Sequence, residues 1–273
     1  MRIGIIGCGW LGWPLAEKLI ERGHTVVGTT TTADKLAALR TAGIEATFLD
    51  LNQPVPKATT AALRGCQRLL INVPPGRRLP DVESRYPAWM RRLATLAVSG
   101  MDRCLFASST GIYGTATGRV DEAVMPEPVS ASGKALLAAE PPLRAAFGER
   151  LVRVGLAGLV GGRREAGRFL AGKTDLSDGE APVNLVHRVD VVALLTLLLE
   201  ATTLAHRSYL ISADAHPTRA AFYPGRARQL DLSPPTFLSG GHDGKWIDNA
   251  RIKGEFNYTF QYPDPRQFPF EAP

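Results

Sequence analysis

Gly7-Cys8-Gly9-Trp10-Leu11-Gly12 spaces three glycines as G-x-G-x-x-G, a pattern able to cradle two linked phosphates. Each glycine has a physical task there. Gly7 permits a tight turn, Gly9 lets the backbone approach a pyrophosphate with no Cβ in the way, and Gly12 lets a helix pack close to a strand. The N-terminus of that helix faces the phosphates with its free N–H groups. The flanks agree: Ile3, Ile5 and Ile6 form a β-branched run that reads as a buried strand, and Pro14 to Ile20 reads as a helix. Gly7, Gly9, Trp10, Leu11 and Gly12 are therefore the candidate contacts of a dinucleotide. The competing reading is a glycine-rich βα turn that holds no ligand.

Thr25-Val26-Val27-Gly28 reads as the second strand, and its end selects the dinucleotide. A chain that prefers NAD places Asp or Glu there, on the ribose 2′-hydroxyl. Here Thr29-Thr30-Thr31-Thr32 stand instead, followed by Lys35. Hydroxyls, N–H groups and an ammonium at Thr30, Thr31 and Lys35 suit a 2′-phosphate, which favours NADP over NAD. The alternative is a polar loop with an N-cap for a helix over Ala33 to Arg40. Ala46 to Leu51 reads as a third strand; Asp50 and Leu51 at its end would lie beside the adenine, or Asp50 would cap the next turn. A helix over Lys57 to Arg64 leads to a fourth strand, Arg68 to Val73, which Pro74-Pro75-Gly76 stops. Asn72, Val73 and Pro74 would run past the cofactor ribose.

Trp89 to Val98 looks helical, and Arg103 to Ala107 is a fifth predicted strand opening into Ser108-Ser109-Thr110-Gly111-Ile112-Tyr113-Gly114. Strands alternate with helices from the first residue, which predicts an α/β fold with a doubly wound parallel sheet of the Rossmann type. Ligands of such sheets gather at the carboxyl ends of the strands, where these hydroxyls lie. Further on, Ser132 to Leu143 is predicted helical, Leu151 to Val154 a strand and Val183 to His187 extended. Val189 to Leu199 is an apolar helix with Asp190 in its first turn, and Tyr209 to Ile211 is a last strand. The tail from Asp214 to Pro273 holds prolines and aromatics without a βα rhythm and reads as a small C-terminal covering lobe. The expected division is a dinucleotide-binding core over 1–155, completed by 183–212, and a substrate lobe over 156–182 and 213–273.

The net charge of +6 invites a nucleic-acid reading, but no Lys/Arg run exceeds two residues and no nucleic-acid motif is present. A small anionic ligand accounts for the same excess. Cys8, Cys66 and Cys104 are odd in number and lack C-x-x-C spacing, which favours reduced thiols in the cytoplasm over disulfides or a zinc site. Cys8 reads as a small filler in the turn. The histidines are dispersed and give no metal-ligand pattern. Met1 leads directly into a strand, so no signal segment is expected, and the longest apolar run, Val191 to Leu199, is too short for a bilayer. A monomer or homodimer acting on a small molecule is expected.

In combination the motifs resemble the short-chain dehydrogenase/reductase superfamily on its extended, epimerase/dehydratase side. Ser108-Ser109-Thr110-Gly111-Ile112-Tyr113-Gly114 is similar to that family's S-S-x-x-V-Y-G. LVRVGLAGLVGG resembles its R-x-x-x-V-Y-G-P segment, and VNLVHRVDVV its F-I-H-V-D-D-V-A segment. GWLGWPLA, AGLVGGRREAGRFLAGKT, VNLVHRVDV and FQYPDP resemble the atypical YeeZ-like branch. The resemblance implies that Gly7, Gly9 and Gly12 hold the pyrophosphate, that Ser109 orients a substrate oxygen and that Lys134 supplies positive charge near the ribose. The family's acid/base is the tyrosine of Y-x-x-x-K. Here the frame is Ser130-Ala131-Ser132-Gly133-Lys134, so the lysine stands and the tyrosine is gone. A phenol with a pKa of about 10, lowered by a nearby lysine, can exchange protons near neutrality; a serine hydroxyl is too weak an acid. Ser130 and Lys134 could share a helix face as a Ser–Lys pair. Tyr113, four residues past Ser109, is the first candidate replacement, or it packs in its loop. Two other readings remain: the substrate supplies or needs no such proton, or the protein is a dinucleotide-binding sensor or regulator with no turnover.

Arg163, Arg164, Arg168 and Lys173 cluster where extended family members bind substrate, and suit a carboxylate or phosphate. A solvated basic loop is the alternative. Gly167 to Thr174 also fits G-x-x-x-x-G-K-T, the phosphate-cradling loop of ATP-binding proteins, but neither a buried strand before it nor a helix after it is expected. His187 and Asp190 read as structural, a hydrogen-bonded strand end and a helix cap, and Asp214-Ala215-His216-Pro217 as a turn.

Overall fold

A computed structural model describes residues 1–76, 80–97 and 100–270. The chain divides into two compact units. The first comprises Met1–Ile112, Pro128–Val154 and Val192–Ser208; the second comprises Tyr113–Glu127, Gly155–Val191 and Tyr209–Pro273.

The strands and helices of the N-terminal region alternate as β1 (Arg2–Ile6), α1 (Gly12–Glu21), β2 (Thr25–Thr30), α2 (Ala33–Thr41), β3 (Glu45–Phe48), α3 (Lys57–Leu63), β4 (Arg68–Ile71), α4 (Val82–Ala94) and β5 (Arg103–Ser109). Then follow β6 (Arg119–Val120), α5 (Ala131–Phe147), β7 (Leu151–Leu156), β8 (Gly158–Val160), β9 (Leu185–His187), α6 (Arg188–Glu200) and β10 (Ser208–Ile211). The tail holds α7 (Arg219–Arg228), β11 (Trp246–Ile247) and α8 (Ala250–Phe256). One seven-stranded sheet runs in the order β10-β7-β5-β4-β1-β2-β3, with β1 parallel to both β2 and β4. The order reverses at β1 and β4, so this is a doubly wound Rossmann sheet whose switch point lies outside the carboxyl end of β1.

Burial explains the elements. Ile3, Ile5 and Ile6 of β1 are all 0% exposed, as a central strand demands. α1 turns Leu15, Ala16 and Leu19 inward. α4 and α5 pack on one another, burying Tyr86, Met90 and Leu93 from one and Ala135, Ala139 and Leu143 from the other. α4 begins at Val82 and not at Trp89, with Pro87 inside it; the buried stripe outweighs the missing N–H. Val98, the expected end of that helix, lies outside the described residues. The third strand ends at Phe48 because Asp50 turns the chain, accepting from the Asn52 N–H at 2.9 Å. Among the described residues no helix is long and apolar enough to cross a membrane.

In the second unit, β8 pairs in parallel with β9 and β6 with β11. Its core gathers Val160, Ala166, Val183, Leu185, Ala213, Phe222 and Phe268. The tail is more regular than its composition suggests. Thr218 caps α7, accepting from the Ala221 N–H at 3.2 Å, despite Pro224 inside the helix. Asp190 is structural but not as a helix cap. It is 0% exposed and accepts from the Tyr258 hydroxyl at 2.7 Å and from the N–H groups of Gln261 and Tyr262 at 2.7 and 3.1 Å. The carboxylate therefore clasps the tail, which sequence distance concealed.

Asp190→Ala removes the buried acceptor of three donors and should destabilise the fold by about 2–4 kcal/mol, read from urea unfolding. Asp190→Asn keeps an acceptor oxygen and should cost less. A loss below about 1 kcal/mol for Asp190→Ala would show that the clasp contributes little.

Candidate functional site

The glycine turn is locked by its neighbours on both sides. Gly7 has φ +102°, and a Cβ there would lie 2.8 Å from the Asn72 carbonyl oxygen. A Cβ on Gly12 would lie 2.2 Å from the Gly7 carbonyl oxygen, so only glycine lets α1 start this close to β1. From β2, the Thr29 hydroxyl accepts from the Gly7 N–H at 3.0 Å and the Thr29 carbonyl accepts from the Cys8 N–H at 2.8 Å. Beyond β4, the Asn72 side chain donates to the Gly7 carbonyl at 3.3 Å. Cys8 fills the space that the absent side chain of Gly28 leaves, its Sγ 2.5 Å from where a Cβ would sit. Burial pushes the Cys8 thiol up to about 12, so it stays protonated.

Gly9 differs from its two partners. It is exposed, and a Cβ on it would meet no protein atom within 4 Å. No side chain caps α1, and its first turn holds no acidic residue. A helix start that no side chain caps, at the switch point and beside the exposed Gly9, can take an anion, with open space over Gly9. Trp10 is half-buried, and Leu11 puts its side chain in the core at 4% exposure, leaving its backbone at the helix start.

The threonine run divides its duties. Thr29 buttresses the glycine turn, and the Thr30 hydroxyl accepts from the Thr32 N–H at 3.1 Å. Thr31, Thr32 and Lys35 are exposed. The first carboxylate after β2 is Asp34, in the first turn of α2. Asp50 accepts from both the backbone and the side chain of Asn52, the turn-capping role; Leu51 is buried and its carbonyl accepts from Arg92. Val73 accepts from the Tyr86 hydroxyl at 2.8 Å, and Pro74 is exposed.

The hydroxyl loop and the Y-x-x-x-K frame come together in the first unit. Ser109 accepts from the Gly111 N–H at 3.1 Å. Gly133 lets the first turn of α5 approach that loop: a Cβ on it would lie 3.1 Å from the Gly111 carbonyl oxygen and 3.0 Å from Ser130 Oγ. Ser130 is the N-cap of α5, accepting from the Gly133 N–H at 3.1 Å. The residue in the tyrosine's frame thus commits its oxygen to the helix start. The expected Ser130–Lys134 pair on one helix face is not formed, because Ser130 precedes the helix; a serine just ahead of a helical run is the signal that points to a cap. Lys134 is exposed, and Tyr113, in the second unit, is 1% exposed.

Arg163, Arg164, Arg168 and Lys173 are all exposed in the second unit. Their loop is anchored by a feature not legible beforehand. Glu165 and Arg226 form a buried ion pair at 2.9 Å, and Arg226 also donates to the Phe268 carbonyl at 3.0 Å. Gly167 to Thr174 is not a nucleotide-binding P-loop. It forms a 3₁₀ turn over Ala166–Arg168 and further turns, with no helix opening at Lys173-Thr174 to aim N–H groups at a phosphate.

Residues 2–83 match the family model for the NAD binding domain of 6-phosphogluconate dehydrogenase. Among solved structures, UDP-glucuronic acid 4-epimerase from Bacillus cereus in complex with NAD superposes with a TM-score of 0.78 at 17% identity, covering 96% of this chain and 94% of that one. A functionally unknown conserved protein from Silicibacter pomeroyi gives 0.76 at 22% identity, covering 97% and 95%. The fold is that of NAD-binding, extended short-chain dehydrogenases/reductases of the epimerase/dehydratase type. Protein YeeZ of Escherichia coli (strain K12) is 41% identical over 275 residues, 99% of each chain. The chain belongs to the YeeZ family.

Gly12→Ala and Gly9→Ala should separate packing from ligand space. Gly12→Ala forces a methyl onto a backbone oxygen and should cost about 1–3 kcal/mol or more in thermal unfolding. Gly9→Ala should leave stability within about 0.5 kcal/mol yet weaken dinucleotide binding at least about tenfold by calorimetry. Unchanged binding by Gly9→Ala would show that no diphosphate lies over that residue.

Proposed function

We propose that this protein binds NADP(H) in its N-terminal cradle and performs hydride-transfer chemistry, as an oxidoreductase or epimerase, on a small anionic substrate. The observation that carries the reading is the start of α1, which no side chain caps, with open space over the exposed Gly9 in the turn before it. Gly7, Gly9, Trp10, Leu11 and Gly12 would hold the pyrophosphate; Asn72, Val73 and Pro74 the ribose side; Asp50 and Leu51 the adenine side. Thr30, Thr31 and Lys35 would take the 2′-phosphate, which Thr31 and Lys35 meet as exposed groups. The bound nicotinamide supplies the hydride acceptor or donor. Ser109 would orient and polarise the substrate oxygen, Lys134 would bring positive charge to the ribose, and Tyr113 would hold the exchanging proton. Arg163, Arg164, Arg168 and Lys173 would recognise the anionic part of the substrate. A solved neighbour, the Bacillus cereus epimerase, binds a substrate of related character, UDP-glucuronic acid, together with NAD.

A second reading has one specific observation in its favour. Ser130 caps α5 where the family places its acid/base, which favours a dinucleotide-responsive sensor without turnover. Consumption of NADPH with a panel of carbonyl substrates separates the two; tight binding without consumption favours the sensor.

Calorimetric titration should show NADPH binding more tightly than NADH. Lys35→Ala should weaken NADPH about tenfold, since a charged hydrogen bond is worth about 1.5–3 kcal/mol, and leave NADH nearly unchanged. Equal or tighter NADH binding by the native protein would overturn the NADP assignment. Tyr113→Phe keeps the buried ring, so it should retain fold and dinucleotide binding while lowering turnover by about 10²–10⁴-fold. Turnover within about twofold of native would remove Tyr113 from the proton path.

A further inference from the structure

Lys245 is a half-buried cation with no carboxylate against it among the described residues. Its position is set by backbone pairing inside the second unit. β6 and β11 run in parallel, Arg119 beside Trp246 and Val120 beside Ile247. The Trp246 N–H donates to the Gly118 carbonyl at 2.8 Å, and the Gly118 N–H donates to the Asp243 carbonyl at 3.1 Å. Asn184 holds the same stretch, donating from Nδ2 to the Lys245 carbonyl at 2.9 Å and accepting at Oδ1 from the Ile247 N–H at 2.8 Å. Together these bring Lys245 to the loop that runs on from Ser109. Its Nζ donates to the carbonyl of Gly114, directly after Tyr113 and 131 positions earlier in the chain.

The surrounding cations are neutralised and Lys245 is not. Arg119 pairs with Asp248, Lys253 with Asp214 at 2.8 Å, and Arg251 with Glu122 at 3.2 Å. Lys245 has the neutral Gly114 carbonyl instead. Burial lowers its pKa, and no acidic neighbour acts to raise it again. The other titratable groups beside β11 do not supply a counter-charge: Asp248 is held by Arg119, Asp243 is exposed, and His216 lies against Trp246 with ring centres 5.8 Å apart. An ammonium that loses water without gaining an opposite charge is costly, and such groups concentrate where a ligand completes them.

We propose that Lys245 anchors an anionic group, carboxylate or phosphate, of the small substrate. The proposal rests on the anionic-substrate reading above, and its test does not depend on turnover. Protein labelled with ¹³C at lysine Cε is followed by NMR through pH titrations, alone and with malonate or inorganic phosphate as probes. Lys245→Arg assigns the resonance, and the exposed Lys18 and Lys57 serve as references. Lys245 should titrate below both references. Its midpoint should rise by about half a unit or more as either probe saturates, because a bound anion favours the charged form. A larger shift with malonate assigns the site to a carboxylate, and a larger shift with phosphate assigns it to a phosphate. If Lys245 titrates with the references, or neither probe moves it at tens of millimolar, Lys245 is only a latch on Gly114 and the proposal is wrong. A response at Lys173 without one at Lys245 would overturn this anchor and leave the anionic-substrate reading standing. No response at either lysine would overturn both.

Discussion

Where any other residue would carry a Cβ, Gly12 has a hydrogen, and the Gly7 carbonyl oxygen lies 2.2 Å from that vacant position. This contact sets where α1 begins relative to the end of β1. β1 stands between β2 and β4 in the sheet, so the turn is braced from both neighbours, by Thr29 and by Asn72. A steric constraint a few atoms wide thereby places a helix start that no side chain caps at the switch point of the sheet. Gly9 is then the one glycine of the set for which the protein itself offers no steric reason, since a Cβ there meets nothing.

The second unit is held by a different device. Alongside its apolar core, carboxylates tie its loops and tail in place. Asp190 gathers a hydroxyl and two backbone N–H groups from Tyr258 to Tyr262. Glu165 and Arg226 pair in the interior and tie the basic loop to α7 and to the Phe268 carbonyl. Buried charges of this kind are strongly unfavourable when one partner is lost, so they define a single arrangement for the loops they hold.

Serine at position 130 is a helix cap before it is anything else. Its oxygen reaches the Gly133 N–H, an interaction worth about 1 kcal/mol that a phenol placed at the end of a ring cannot reproduce. Gly133 matters for the same reason, because its lack of a side chain lets α5 start against the Gly111 carbonyl, beside Ser109. The departure from the Y-x-x-x-K pattern is therefore built into the start of α5 and is coupled to the hydroxyl loop through backbone contact.

Local pattern determined much of this protein. β-branched runs, glycine spacing and the strand–helix alternation through β5 are short-range signals, and they specified the Rossmann core, the glycine turn and the exposed basic loop. Ser130, expected to share a helix face with Lys134, is instead the cap just before α5. Tertiary structure alone decided the rest, because those choices depend on partners far away in sequence. Asp190 could not be told from a helix cap until the tail returned to it. Glu165 and Lys245 carry no local signal; Arg226 closes over one and the β6–β11 pairing carries the other to Gly114. Whether a charged side chain is solvated, paired or left wanting a counter-ion is set by burial and by what folds against it, and neither is a property of its neighbours in the chain.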